Sequence, residues 1–122
     1  MRQKFSLGTD IVEVSRVASL SRDLRFLKRI FTPAEIRYCR GKKNAAQHFA
    51  VRFAAKEAVW KALSSVARAN GIGHKEIGVT RTPRGEPRVS LSPRLKKYEK
   101  HVALSLSHTN EYATAVAVFL NL

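Results

Sequence analysis

From Ala45 to Arg68 the chain runs without a single glycine or proline and is dense in alanine. Alanine is the strongest helix former, so this stretch predicts the longest helix of the protein. Asn70-Gly71-Ile72-Gly73 follows it and reads as a stop. Phe49, Phe53 and Trp60 recur at i, i+4 and i+11 and are expected to share a face, while the many alanines would let other elements approach closely.

The flanking segments are shorter. Residues 5–14 are rich in Val, Ile and Leu and predict a strand, with Gly8 as a flexible point and Ser15 as the cap of a short helix through Leu20. A second short helix is expected over Asp23 to Ile30. Thr32-Pro33-Ala34-Glu35 is a strong helix start, with Thr32 as cap, Pro33 at the first position and Glu35 closing a capping box; that helix should end near Gly41. Ile77–Thr82 and Pro87–Leu91 predict two strands around a Pro83-Arg84-Gly85-Glu86 turn. Ser92-Pro93 opens a short helix through Tyr98. Two alternating segments close the chain, with Val102, Leu104 and Leu106 facing one way in the first and Tyr112, Thr114, Val116 and Val118 in the second. The order predicts an α+β fold, a small antiparallel sheet packed on one long helix, within one domain spanning 1–122.

Charge narrows the partners. Lys and Arg total 23 against 9 Asp and Glu, a formal net charge of +14, shared evenly between residues 1–43 and 44–122. A folded body this basic attracts polyanions and acidic proteins. No helix-turn-helix, stacking motif or zinc finger accompanies the charge, so nucleic acid is not expected as a partner. No segment approaches the about 20 apolar residues of a membrane helix. A lone cysteine, Cys39, cannot pair within the chain, which favours a reducing compartment, and the expected location is the cytoplasm.

Two acids break the local pattern. Asp10 lies inside an apolar strand, where a carboxylate either faces water at the strand end or needs a partner such as a metal. Glu57 lies among Ala50, Phe53, Ala54 and Trp60, with Lys61 at i+4. The pair is read either as a simple helix ion pair or as part of a buried polar site. Arg52 and Lys56 form a second i,i+4 set, a solvated basic stripe or an anion clamp. His108 stands alone in a turn without the spacing of a zinc site.

Four blocks, in order, resemble the holo-acyl-carrier-protein synthases of the phosphopantetheinyl transferase family: Gly8-Thr9-Asp10-Ile11-Val12-Glu13-Val14 with Arg16; Arg29-Ile30-Phe31-Thr32-Pro33-Ala34-Glu35; Arg52-Phe53-Ala54-Ala55-Lys56-Glu57-Ala58 with Lys61-Ala62; and Leu104-Ser105-Leu106-Ser107-His108-Thr109. The resemblance implies transfer of 4′-phosphopantetheine from coenzyme A to a serine of an apo acyl carrier protein, in support of fatty acid biosynthesis. It implies magnesium held by Asp10 and Glu57, with Asp10, Glu57 and Lys61 as the catalytic set. Arg52, Lys61, Gly85, Pro87, His108 and Thr109 would contact coenzyme A. Arg16, extended by Arg22, Arg25 and Lys28, would meet the acidic carrier. It further implies a homotrimer whose sites are shared between subunits. Trp60 departs from the small residue common before the lysine, which would narrow the cofactor cleft or shift its wall, and Glu86 departs from the basic residue common in the Gly-x-Pro turn.

Overall fold

A computed structural model describes residues 5–67 and 71–121. Strand β1 (Phe5–Glu13) runs directly into helix α1 (Val14–Leu20), followed by α2 (Leu24–Ile30), α3 (Pro33–Arg40) and the long helix α4 (Ala45–Ser64). A 3-10 turn (His74–Glu76) leads to strands β2 (Ile77–Arg81) and β3 (Pro87–Leu91). A 3-10 helix (Pro93–His101) then leads to β4 (Val102–His108) and β5 (Tyr112–Leu120). The expected α+β fold is present, but the strands form two sheets: an antiparallel β1-β5-β4 sheet and a separate β2-β3 hairpin. Among the described residues no helix is long and apolar enough to cross a membrane.

The local expectations hold where side-chain chemistry decides them. Thr32 Oγ1 accepts from the Glu35 backbone N–H at 3.2 Å, and Glu35 Oε1 accepts from the Thr32 N–H at 2.8 Å, completing the capping box. Asp23 caps α2 by accepting from Arg25 N–H at 2.9 Å. Ser15 is not a cap. Helix α1 starts two residues earlier, with Glu13 in the cap position and Val14 N–H bonded to the Glu111 carbonyl at 2.8 Å, so the strand passes into the helix without a side-chain cap. Helix α4 ends at Ser64, and the Arg68 and Asn70 parts of its expected end lie outside the described residues.

Helix α4 is the axis of the molecule. Ala50, Ala54, Ala55, Ala58 and Ala62 are buried around it, with Val59 and Leu63 at its core side. The sheet lies against one flank, α1 and α3 against another, and β2 beside it. Two apolar clusters result. One holds Leu63, Ile77, Leu91, Leu95 and Phe119, and the other holds Phe26, Leu27, Phe31 and Phe49 around α2 and α3. Fully burying a side chain such as Leu27, Phe31 or Leu63 contributes roughly 1.5–3 kcal/mol relative to exposure.

Gly8 is not a flexible point. A methyl group there would overlap the carbonyl oxygen of Ala58 and crowd the Ala62 nitrogen, so β1 rests its bare backbone directly on α4. Trp60 does not join Phe49 in the core; it is 41 % exposed near the end of α4, while Phe53 is half-buried. In β5 the small residues Ala113, Ala115 and Ala117 face α4 together with Phe119, whereas Tyr112, Val116 and Leu120 face outward. Next to them on β1, Leu7 pairs with Val118 and Ile11 with Thr114. Ile11 is 62 % exposed and Leu7 57 %, so the β1-β5 part of the outer face exposes several large apolar groups.

Candidate active site

The side-chain period of a strand is two, so Asp10 lies on the same face of β1 as Gly8 and looks toward α4. Gly8 seats on Ala58 and Ala62, which brings Asp10 next to Glu57 and Lys61, one position before each. Lys61 Nζ donates to Asp10 Oδ1 at 3.2 Å and to the Thr9 carbonyl at 2.8 Å. The other carboxylate oxygen, Asp10 Oδ2, is buried and has no hydrogen-bond partner among the described residues. Burial raises the Asp10 pKa above its usual value; Lys61 opposes this, and the nearby charge of Glu57 adds to it. Two acids 47 positions apart in sequence therefore sit within each other's field in one site.

Both open into a cleft of about 510 Å³, lined among others by Asp10, Glu13, Arg16, Phe53, Glu57 and Tyr112. Glu57 Oε1 accepts from His74 Nε2 at 3.0 Å, and the His74 ring stacks on Phe53 with centroids 5.9 Å apart and planes 10° from parallel. Among the described residues no cluster of three or more His, Cys, Asp or Glu side chains could hold a metal. A site of two carboxylates fits a hard cation such as magnesium, which is commonly held by one or two carboxylates and completes its shell with substrate phosphates and water. An orphaned buried carboxylate oxygen is the atom such a cation would satisfy.

Arg52 and Lys56 are not a solvated stripe. Both are buried. Lys56 Nζ pairs with Glu35 Oε1 at 2.7 Å and donates to the carbonyls of Ile77 at 2.6 Å and His74 at 3.0 Å. Burial lowers the Lys56 pKa, and Glu35 pulls it back up. Arg52 lies with its guanidinium carbon 4.4 Å from the Tyr38 ring centre, and its Nη1 donates to the His48 carbonyl at 3.3 Å. Burial lowers the pKa of His48, and the fields of Arg52, Lys42, Arg81 and His108 lower it further. Arg81 Nη1 also holds the Gly85 carbonyl at 2.7 Å. Gly85 adopts φ +86°, a conformation glycine takes without a Cβ penalty.

The predicted residues thus fall into two groups. Asp10, Glu57, Lys61 and Arg16 gather at the cleft. Arg52, His108 and Gly85, whose carbonyl Arg81 holds, are not among the residues lining that cleft. Exposed Thr109 lies beside His108, and its Oγ1 accepts from the Glu111 and Tyr112 N–H groups at 3.1 and 3.0 Å. Pro87 begins β3 and lines a different hollow, beside β4. Arg22, Arg25 and Lys28 are exposed, with Arg25 Nε 3.5 Å from Asp23 Oδ1. Lys28 borders a separate groove with Leu24 and Arg37. Trp60 is not among the residues lining the carboxylate cleft. Sequence reasoning missed His74 and the Glu35–Lys56 pair. A lysine flanked by Ala54, Ala55, Ala58 and Val59 was a legible sign of burial, whereas nothing in the spacing ties His74 to Glu57.

The chain as a whole has known counterparts. The model of the 4′-phosphopantetheinyl transferase superfamily matches residues 6–117. A holo-[acyl-carrier-protein] synthase of Koribacter versatilis is 42 % identical over 118 residues, covering 91 % of this chain and 94 % of its own. That of Chlamydia felis is 43 % identical over 122 residues, covering 97 % and 98 %. The crystal structure of a Bacillus anthracis holo-(acyl-carrier-protein) synthase in complex with CoA (3′,5′-ADP) superposes with a TM-score of 0.81 at 31 % identity, covering 98 % of this chain and 100 % of that one. With the fold, the full-length match and the two-carboxylate cleft in agreement, the chain belongs to the 4′-phosphopantetheinyl transferase superfamily, among the holo-[acyl-carrier-protein] synthases.

Proposed function

We propose that this chain is a magnesium-dependent holo-[acyl-carrier-protein] synthase acting as one transferase domain. It moves 4′-phosphopantetheine from coenzyme A to a serine of an acidic apo acyl carrier protein in fatty acid biosynthesis, in the cytoplasm. The observation that carries this reading is the convergence of Asp10 and Glu57 in one cleft, with Asp10 Oδ2 buried and unpartnered.

In the reaction the serine oxygen forms a new bond to the pantetheine-side phosphorus of coenzyme A. The bond to the other phosphate breaks, releasing adenosine 3′,5′-bisphosphate. The serine proton passes to Glu57 or to water. Asp10 and Glu57 hold the magnesium, which when bound supplies positive charge against the diphosphate. Lys61, already 3.2 Å from Asp10, sets a further positive charge where the leaving phosphate gains negative charge. Arg52, His108 and Thr109, with the Gly85–Pro87 turn, receive the nucleotide end of coenzyme A. Arg16, exposed at the cleft, meets the carrier, with Arg22, Arg25 and Lys28 extending the basic patch.

A homotrimer with shared sites completes the reading, on two supports. The outer face of the β1-β5 pair exposes Leu7, Ile11, Val116 and Leu120. And at 3.6 residues per turn, Arg52 and Glu57 point about 140° apart around α4, so a ligand meeting both sets of side chains is best served by two copies of the chain.

The test is to mix the chain with apo carrier, coenzyme A and magnesium and to weigh the carrier. One phosphopantetheine is gained, and chelator abolishes the gain. Arg16→Ala raises the KM for carrier about tenfold and leaves that for coenzyme A nearly unchanged; the reverse split would overturn the placement of the carrier surface.

A further inference from the structure

Glu57 holds a flexible three-torsion side chain at the edge of a cleft, and a metal-holding carboxylate works only if its oxygens are kept in place. The structure contains one continuous brace that does this. Lys56 and Glu57 are neighbours on α4, one directed into the core and the other into the cleft. His74 engages both: its carbonyl accepts from Lys56 Nζ at 3.0 Å, and its ring nitrogen Nε2 donates to Glu57 Oε1 at 3.0 Å. The brace is anchored deep in the fold. Lys56 is fully buried and pairs with Glu35 Oε1 at 2.7 Å, and Glu35 Oε2 accepts from Val79 N–H of β2 at 2.8 Å. Phe53 fixes the plane of the imidazole by stacking against it.

We propose that His74 is a positioning residue of the transferase site, orienting Glu57 for magnesium, and that the buried Glu35–Lys56 pair fixes His74 in turn. The proposal rests on the reading of Glu57 as a metal-holding acid. A purely structural role fits less well. The Glu57 and His74 side chains are 26 % and 32 % exposed, and a pair so open to water adds little to stability. The effect of the contact therefore falls on geometry.

The experiment uses the full chain with Mn²⁺ as a paramagnetic probe for the magnesium site, titrated in the presence of coenzyme A and followed by loss of the free-ion resonance signal. His74→Phe keeps a ring able to stack on Phe53 and removes Nε2. It is expected to melt close to the parent, to bind Mn²⁺ about ten- to a hundredfold more weakly, and to lose kcat over a similar range with an unchanged KM for carrier. His74→Gln, which restores an N–H donor, recovers part of both. If the phenylalanine variant melts far below the parent, His74→Leu takes its place with the same expected losses. A variant without ring nitrogen that binds Mn²⁺ and turns over like the parent overturns the proposal and leaves the magnesium reading standing. A parent chain that binds no Mn²⁺ and transfers the arm in chelator overturns both.

Discussion

Asp10 carries a conflict that a bound cation would relieve. Its carboxylate is mostly removed from water, one oxygen has a lysine 3.2 Å away, and the other has no hydrogen-bond partner among the described residues. A buried polar atom without a partner costs free energy, and a neighbouring acid adds to that cost. Asp10→Asn removes the charge and keeps the size. Without divalent cation the variant is expected to be as stable as the parent or more so by urea unfolding. Its turnover falls by more than about a hundredfold, past the range seen when only outer-shell partners are lost. A variant that unfolds more readily without metal yet keeps its turnover would show that Asp10 serves the fold. The same logic separates the two buried cations of α4 from the exposed one. Lys56 is enclosed and committed to Glu35 and two carbonyls, while Lys61 is nearly half exposed and within reach of an incoming phosphate.

At the scale of elements, the site depends on how closely β1 approaches α4. The contact is backbone to backbone at Gly8, over Ala58 and Ala62, and it sets the depth at which Asp10 meets Glu57 and Lys61. Gly8→Ala puts a methyl group where a carbonyl oxygen lies, and neither partner is a flexible side chain. Overpacking of this kind costs typically about 1–3 kcal/mol and more where backbone must move. Equilibrium unfolding should show a loss at or above the top of that range. Because Asp10 is carried outward with the strand, the folded fraction should also bind divalent cation more weakly. A Gly8→Ala variant with parental stability and affinity would mean that β1 does not seat as described.

For the whole molecule, the distribution of side-chain size across the β1-β5-β4 sheet decides what the chain does with its surfaces. On β5 the inner face carries Ala113, Ala115 and Ala117 where α4 lies against it, and Tyr112, Val116 and Leu120 are left outside. A contiguous exposed apolar face marks an interaction surface. Val116→Glu places a charge at its centre, opposite Thr9 and Ser105 on the neighbouring strands. On the proposed trimer, the expected outcome is a folded monomer by sedimentation velocity, with native circular dichroism, and transfer activity lost because each site would lack its neighbour's residues. A parent chain that sediments as a monomer and is fully active would remove the trimer from the reading.

Local chemistry determined much of this from the amino-acid order alone. The capping box at Thr32, the start and alanine-rich character of α4, the hairpin turn at Gly85 and the basic charge all rest on neighbouring residues or on composition. The misplaced acids Asp10 and Glu57 were also visible, because a carboxylate in an apolar pattern conflicts with its surroundings wherever the chain goes. Tertiary structure alone decided the rest. The ring of His74 meets Glu57 only because Lys56 and Glu35 draw the following segment against α4, and no spacing along the chain encodes that. Both faces of β5 are apolar, so its alternation could not say which one looks inward. The close approach of a helix settled it: Ala113, Ala115 and Ala117 leave room for α4, with Phe119 at the strand's end, and Tyr112, Val116 and Leu120 face outward.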